Sequence, residues 1–223
     1  MDEIESSIPG WKKMASYLDG VTLTHVICIF TGMYEKPEYL HLTAEQQEEM
    51  KWVILFHDIE KEPQPRKRDH LHAFRSAVSA TRVFPKLGFT VTPEYDSLIN
   101  DWDKFTRSAI TRLANSPDDL QANHKLPIIL DGIERMFGQN TPATLIIKTI
   151  LFHLSVDMDI WPPPKPLTND EIKKYFNREL STLLLLMSLG DNDGWALFEP
   201  EVRENQRTDI LNQFEKIEKL LSS

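Results

Sequence analysis

The chain has 223 residues, and 25 Lys and Arg set against 34 Asp and Glu leave a net charge of −9 near neutral pH. That length suits one domain with insertions, and the acidity argues against a surface wholly given to nucleic acid or an anionic membrane, though not against a locally basic site. A hydrophobic share of 41% with five Trp excludes global disorder, and a single cysteine, Cys28, excludes an internal disulfide and any multi-cysteine zinc or iron–sulfur centre.

The start, Met1-Asp2-Glu3-Ile4-Glu5, is acidic and no apolar stretch of secretory type follows. The longest apolar run, around Leu183 to Met187, falls short of the roughly 20 residues of a membrane span. A cytoplasmic protein is expected. Cys28, beside Val26, Ile27 and Ile29, reads as a core residue rather than a nucleophile.

Apolar positions recur at three- and four-residue spacing and alternating runs are scarce, so the elements are helices. The first is expected from about Trp11 to Tyr34, with Val21, Leu23, Val26, Ile29 and Phe30 on or near its buried side and Gly20 as a possible break. Thr43 with Gln46 three residues on is a capping-box spacing. The helix it opens carries Met50, Val53, Ile54 and Phe56 inward and ends near Glu60. Pro63 and Pro65 stop it, with Arg66-Lys67-Arg68 in the loop.

Asp69 is the expected N-cap of a helix to about Phe84, and residues 85–93 form a break. Helices are then expected over about 94–114 and 124–137, with a loop at 115–119. Thr141 and Pro142 open a strongly apolar helix through Phe152. Trp161-Pro162-Pro163-Pro164-Lys165-Pro166 is a stiff extended segment. Thr168 starts a helix reaching Gly190, and 201–221 is a terminal amphipathic helix. The expected fold is one all-α domain.

His57-Asp58 follows the apolar run Trp52-Val53-Ile54-Leu55-Phe56, with Ile59 behind it. Burying a carboxylate beside an imidazole is costly unless a cation or hydrogen bonds compensate. His25 lies inside the apolar face of the preceding helix, where a lone histidine is usually a satisfied core residue. Asp191 follows the apolar run ending in Leu189-Gly190, and His70 and His72 lie just after the proline loop.

This order, His, then His-Asp, then a distant Asp, resembles the HD-domain superfamily of metal-dependent phosphohydrolases. His57-Asp58-Ile59-Glu60-Lys61 is similar to the family's His-Asp-(Leu/Ile)-Gly-Lys, with Glu60 in place of Gly. Leu71-His72-Ala73-Phe74-Arg75, Leu151-Phe152-His153 and Gly190-Asp191-Asn192-Asp193-Gly194 resemble three further elements of the HD domain of bacterial CCA-adding enzymes. At Ala73 the family's Glu is missing, and the nucleotidyltransferase part is absent altogether. The likeness covers about 20–85 and 143–198, which leaves about 90–140 as a helical insertion in a single HD-type bundle and 201–221 as a C-terminal helix.

The resemblance implies that His25, His57, Asp58 and Asp191 ligate a divalent cation. Imidazole and carboxylate ligation without thiolate suits Mn, Fe, Co, Ni, Zn or Mg. Open positions on the cation would hold water and a phosphate oxygen. Asp58, Lys61 and His72 are the candidate catalytic groups, with Asp58 bridging to the nucleophilic water or a second cation. His70, His153 and Arg75 are candidate contacts to substrate, and His70, His72 and His153 are alternatively ligands of a second cation or proton donors to the leaving oxygen. Lys61 and Arg75 would neutralise phosphate, and Arg66-Lys67-Arg68 would steer an anion inward. The expected function is hydrolysis of a small phosphate ester such as a nucleotide or cyclic nucleotide. The alternative is a catalytically weak scaffold that binds a nucleotide or a protein partner.

No glycine-rich phosphate loop or dinucleotide fingerprint is present. Asp191-Asn192-Asp193-Gly194 is like the opening of a calcium loop, but its twelfth position is Val202 rather than Glu.

Overall fold

The path of the chain is set by where helices can start and stop. A computed structural model describes residues 21–61, 69–113, 123–158, 165–196 and 199–223, together with Ser6 and Pro163. The basic triplet Arg66-Lys67-Arg68, the 115–119 loop, residues 11–20 of the first expected helix and most of the proline segment lie outside these.

The described residues are all-α, with ten α-helices and no strand: α1 Val21–Met33, α2 Pro37–Leu40, α3 Ala44–Phe56, α4 His72–Val83, α5 Tyr95–Leu113, α6 Leu126–Phe137, α7 Pro142–Phe152, α8 Asn169–Tyr175, α9 Arg178–Trp195 and α10 Pro200–Leu221. The Thr43 hydroxyl accepts from Gln46 N and the Gln46 side chain accepts from Thr43 N, which completes the capping box of α3. Thr141 caps α7 through Thr144 N at 3.2 Å, with Pro142 in the first turn.

Four boundaries differ from expectation, each for a local reason. Helix α3 stops at Phe56 rather than near Glu60, and 57–60 continue as turns. Helix α4 starts at His72 rather than after Asp69, because the Asp69 carboxylate turns instead to Leu71 N and to Arg75. The helix expected from Thr168 to Gly190 is two helices. Phe176 is extended (ψ 147) and packs its ring 5.3 Å from that of Phe152, and Asn177 then caps a new helix by accepting from Leu180 N at 2.8 Å. That helix, α9, runs through Gly190 to Trp195, so Asp191 lies within it rather than after its end.

Helices α3, α4, α7 and α9 form the centre. Helix α1 lies on α9 and α3, α10 on α9 and α8, and α5 pairs with α6 against α4 and α7. Phe56, Phe74, Phe84 and Phe152 are fully buried here, each contributing about 2 kcal/mol by leaving water. The segment expected as an insertion shares this core through Ile99, Trp102, Leu126, Ile129 and Ile133. Cys28 is only half-buried, and its neighbour Ile27 is 53% exposed, so α1 turns this side outward rather than into the core. Among the described residues, no helix is long and apolar enough to cross a membrane.

Candidate metal centre

Five of the helices deliver one polar group each, or a pair, to the same buried place. His25 comes from α1, His57 and Asp58 from the turn that closes α3, His72 from the start of α4, His153 from the end of α7 and Asp191 from α9. His25, His57, Asp58, His72 and His153 are all buried, and Asp191 is half-buried.

Asp58 is the hub. Its Oδ2 lies 3.6 Å from His57 Nε2, 3.8 Å from His25 Nε2 and 2.6 Å from Lys61 Nζ. Its Oδ1 lies 2.9 Å from His72 Nε2. His72 Nε2 is in turn 3.0 Å from His153 Nε2. His25 Nε2 donates to Asp191 Oδ1 at 2.8 Å across 166 residues of chain. Two groups of three result, His25–His57–Asp58 and Asp58–His72–His153, each with one ligand atom per residue within 4.8 Å of the others.

Local backbone fixes the ring orientations. His57 Nδ1 donates to Ile54 O (2.8 Å), His72 Nδ1 to Asp69 O (2.5 Å) and His153 Nδ1 to Ile150 O (2.7 Å). Each ring uses the carbonyl three residues back, and for His57 and His153 that is a last-turn carbonyl left without a helical partner. A carbonyl can only accept, so each Nδ1 carries a proton and Nε2 is the nitrogen that each ring turns to the cluster. Holding the far nitrogen of an imidazole on a carbonyl is how metal-binding histidines are oriented.

The charge balance is uneven. Burial pushes the Asp58 carboxyl up, but His57, Lys61 and His72 outweigh it and hold it well below the usual carboxylate range. Burial also pushes Asp191 up, and the His25 hydrogen bond with the charges of His25 and Lys61 takes it below that range. Burial, then the charge of His25, depress His57, although Asp58 and Asp191 act the other way. Burial, then His72 and His57, push His153 down to about 3, so it is neutral at ordinary pH. Two ionised carboxylates thus sit among imidazole nitrogens with Lys61 beside Asp58. His57 Nε2 is buried without a hydrogen-bond partner among the described residues. A set of imidazole nitrogens and carboxylate oxygens with an orphaned buried nitrogen fits a divalent cation.

The other candidates fall elsewhere. The Arg75 guanidinium pairs with Asp69 and donates to Glu60 O at 3.1 Å. Glu60, which stands where the family has Gly, accepts from the Ser79 hydroxyl and donates its N–H to Ser76 Oγ at 3.2 Å. His70 is half-buried in the turn before α4 and belongs to neither group of three. His153, expected at substrate, lies inside the cluster on His72.

Asp191 to Gly194 are helical, not a calcium loop, and successive residues face successive neighbours as a 100° helical step requires. Asp191 meets His25, Asn192 donates to Arg203 O at 3.0 Å on α10, Asp193 pairs with Lys36, and Gly194 lies against the His25 ring. The roles of Asp69, Glu60 and Lys36 escaped the sequence reading. Asp69 could have been weighed as more than a cap, since His72 and Arg75 follow it at one-turn spacing. Comparisons with protein-family models, with curated proteins and with solved structures each return no match.

Proposed function

We propose that the chain is a metal-dependent phosphohydrolase acting on a small phosphate ester, such as a nucleotide or cyclic nucleotide, and that its resemblance to the HD-domain superfamily reflects this chemistry. The observation that carries the reading is the division of Asp58 between two groups, Oδ2 toward His25 and His57 and Oδ1 toward His72 and, beyond it, His153. A carboxylate so placed is the one that two cations would share, with Asp191 reaching the first group through His25. A bound divalent cation would supply an activated water and polarise a phosphoryl oxygen.

The remaining work belongs to the side chains. Asp191 and Lys61 are the members with side chains most open to solvent, 16% and 25%, so substrate approaches from their side. The Lys61 ammonium, released from Asp58, neutralises a phosphoryl oxygen. His57 and His153 keep lone pairs on the cluster, and His153 with its depressed pKa is a ligand rather than an acid.

The test is a panel of phosphate monoesters, diesters, nucleotides and cyclic nucleotides assayed with Mn, Fe, Co, Ni, Zn and Mg, wild type against Asp58→Ala. Metal-dependent turnover lost in Asp58→Ala is expected. The second reading is a scaffold that binds a nucleotide or a protein partner without hydrolysing it, and the commitment of Arg75 to Asp69 favours it. Binding of a nucleotide with no turnover under any metal would decide for the scaffold.

A further inference from the structure

Helix α9 carries two glycines one turn apart, Gly190 and Gly194, in its contact with α1. Glycine inside a helix costs about 1 kcal/mol relative to alanine, so each needs a reason. At Gly190 an added Cβ would meet Met33 Cε, the end of a flexible chain, at 2.7 Å and the stiffer Ile29 Cγ2 at 2.9 Å, both apolar. At Gly194 an added Cβ would fall 2.4 Å from His25 Nδ1, 2.6 Å from His25 Cε1 and 3.0 Å from Ile29 Cγ1, so the ring is the closest obstacle. The imidazole occupies the volume of the missing side chain. The ring cannot yield freely, because its Nε2 is held at 2.8 Å on Asp191, three residues back on the same helix.

We infer that Gly194 is a positioning residue for His25. The bare backbone at 194 forms one wall of the ring's slot and Asp191 sets its depth, so a single turn of α9 fixes where His25 Nε2 stands relative to Asp58 Oδ2. This rests on the reading of the cluster as a cation site but concerns the ring's placement, which is measurable without a cation. The role differs from that of Gly190. A methyl at 194 displaces the ring and misplaces one ligand atom, whereas a methyl at 190 strains apolar packing and leaves the ligands alone.

The experiment compares Gly194→Ala with Gly190→Ala, the same chemical change one turn apart. In metal-free protein, the His25 ring signals, assigned with His25→Ala, are followed by NMR. Mn2+ affinity is then measured by titration calorimetry. Gly194→Ala is expected to move the His25 signals and weaken Mn2+ binding about tenfold to a hundredfold, as loss of a ligand's support does. Gly190→Ala is expected to leave both near wild type while lowering the melting temperature.

Should Gly194→Ala prove too unstable to study, the pair is repeated in a His25→Ala background, where the vacated space admits the methyl. There Gly194→Ala should lower the melting temperature far less than it does in the wild type. His25 signals unmoved by Gly194→Ala, or an equal loss of stability in both backgrounds, overturns the inference. Moved His25 signals in a protein that binds no Mn2+ would instead uphold the positioning and overturn the metal reading.

Discussion

His72 Nε2 and His153 Nε2 face each other at 3.0 Å, each ring having its Nδ1 proton on a backbone carbonyl. Two ring nitrogens so placed repel each other as acceptors unless a cation or a proton lies between them. Asp58 Oδ1, a third acceptor, is 2.9 Å from His72 Nε2. A divalent cation held by these three atoms would satisfy both contacts at once. His153→Ala is therefore expected to bind one Mn2+ fewer per chain than wild type while keeping the His25–His57–Asp58 site, and Asp58→Ala to bind none. Metal content after loading and desalting measures this. Equal content in His153→Ala and wild type would dismiss the second site.

Lys36, the residue before α2, and Asp193, in the last turn of α9 and two residues from Asp191, form a buried ion pair. Removing one partner strands the other charge out of water, which costs about 3 kcal/mol or more, whereas removing both with apolar replacements costs much less. Lys36→Met and Asp193→Leu are expected each to destabilise by about 3 kcal/mol, and the double variant by clearly less than either. Urea unfolding of the four proteins supplies the cycle, and simple additivity would mean that the pair is not coupled.

The caps of α3 and α7 were readable because a cap is a contact within four residues, as with Thr43 and Gln46 or Thr141 and Thr144. The set His25, His57, Asp58 and Asp191 was expected from the family resemblance; the first three lie together, whereas Asp191, half-buried, meets His25 but joins neither group of three. What stayed hidden depends on distant partners. The Asp69 partner of Arg75 lies at a helical spacing, but nothing near Arg75 signals that its guanidinium also donates to Glu60 O. Gly190 looks like a helix stop because only the packing of Met33 and Ile29 explains a glycine inside α9. The split at Phe176 arises from a ring drawn toward Phe152, which no local pattern announces. His153, matched to a family element, and His70, matched to none, were both expected at substrate, and the end of α7 puts His153 beside His72 instead.

The restart of α9 at Asn177 has a measurable consequence. Its side chain accepts from Leu180 N at 2.8 Å, and losing such a cap costs about 1 kcal/mol. Asn177→Ala should destabilise by that amount, and Asn177→Asp, which retains the acceptor, by only a few tenths of a kcal/mol. Because Asp191 lies about four turns further along the helix, Mn2+ affinity should be unchanged in both. A cost near zero for the alanine variant would show that the break is set by Phe176 alone.

Glu49 gives the fold a pH dependence separate from the candidate metal centre. It is buried on α3 with Oε2 lacking a hydrogen-bond partner among the described residues. Burial, then the nearby charges of Glu179 and Glu45, push its carboxyl up to about 7. Between its ordinary value of 4.5 and about 7, the folded chain holds a proton that the unfolded chain has released. Its contribution to stability is therefore full below about pH 4.5, declines as pH rises to about 7 and is flat beyond. Allowing for solvent screening, the loss amounts to about 1–2 kcal/mol. Glu49→Gln keeps the shape without the charge, so it should remove this slope and unfold at higher urea than wild type at pH 8, with little advantage at pH 4.5. Parallel urea curves at both pH values, with no crossover in the difference between the two proteins, would rule out Glu49 as the origin.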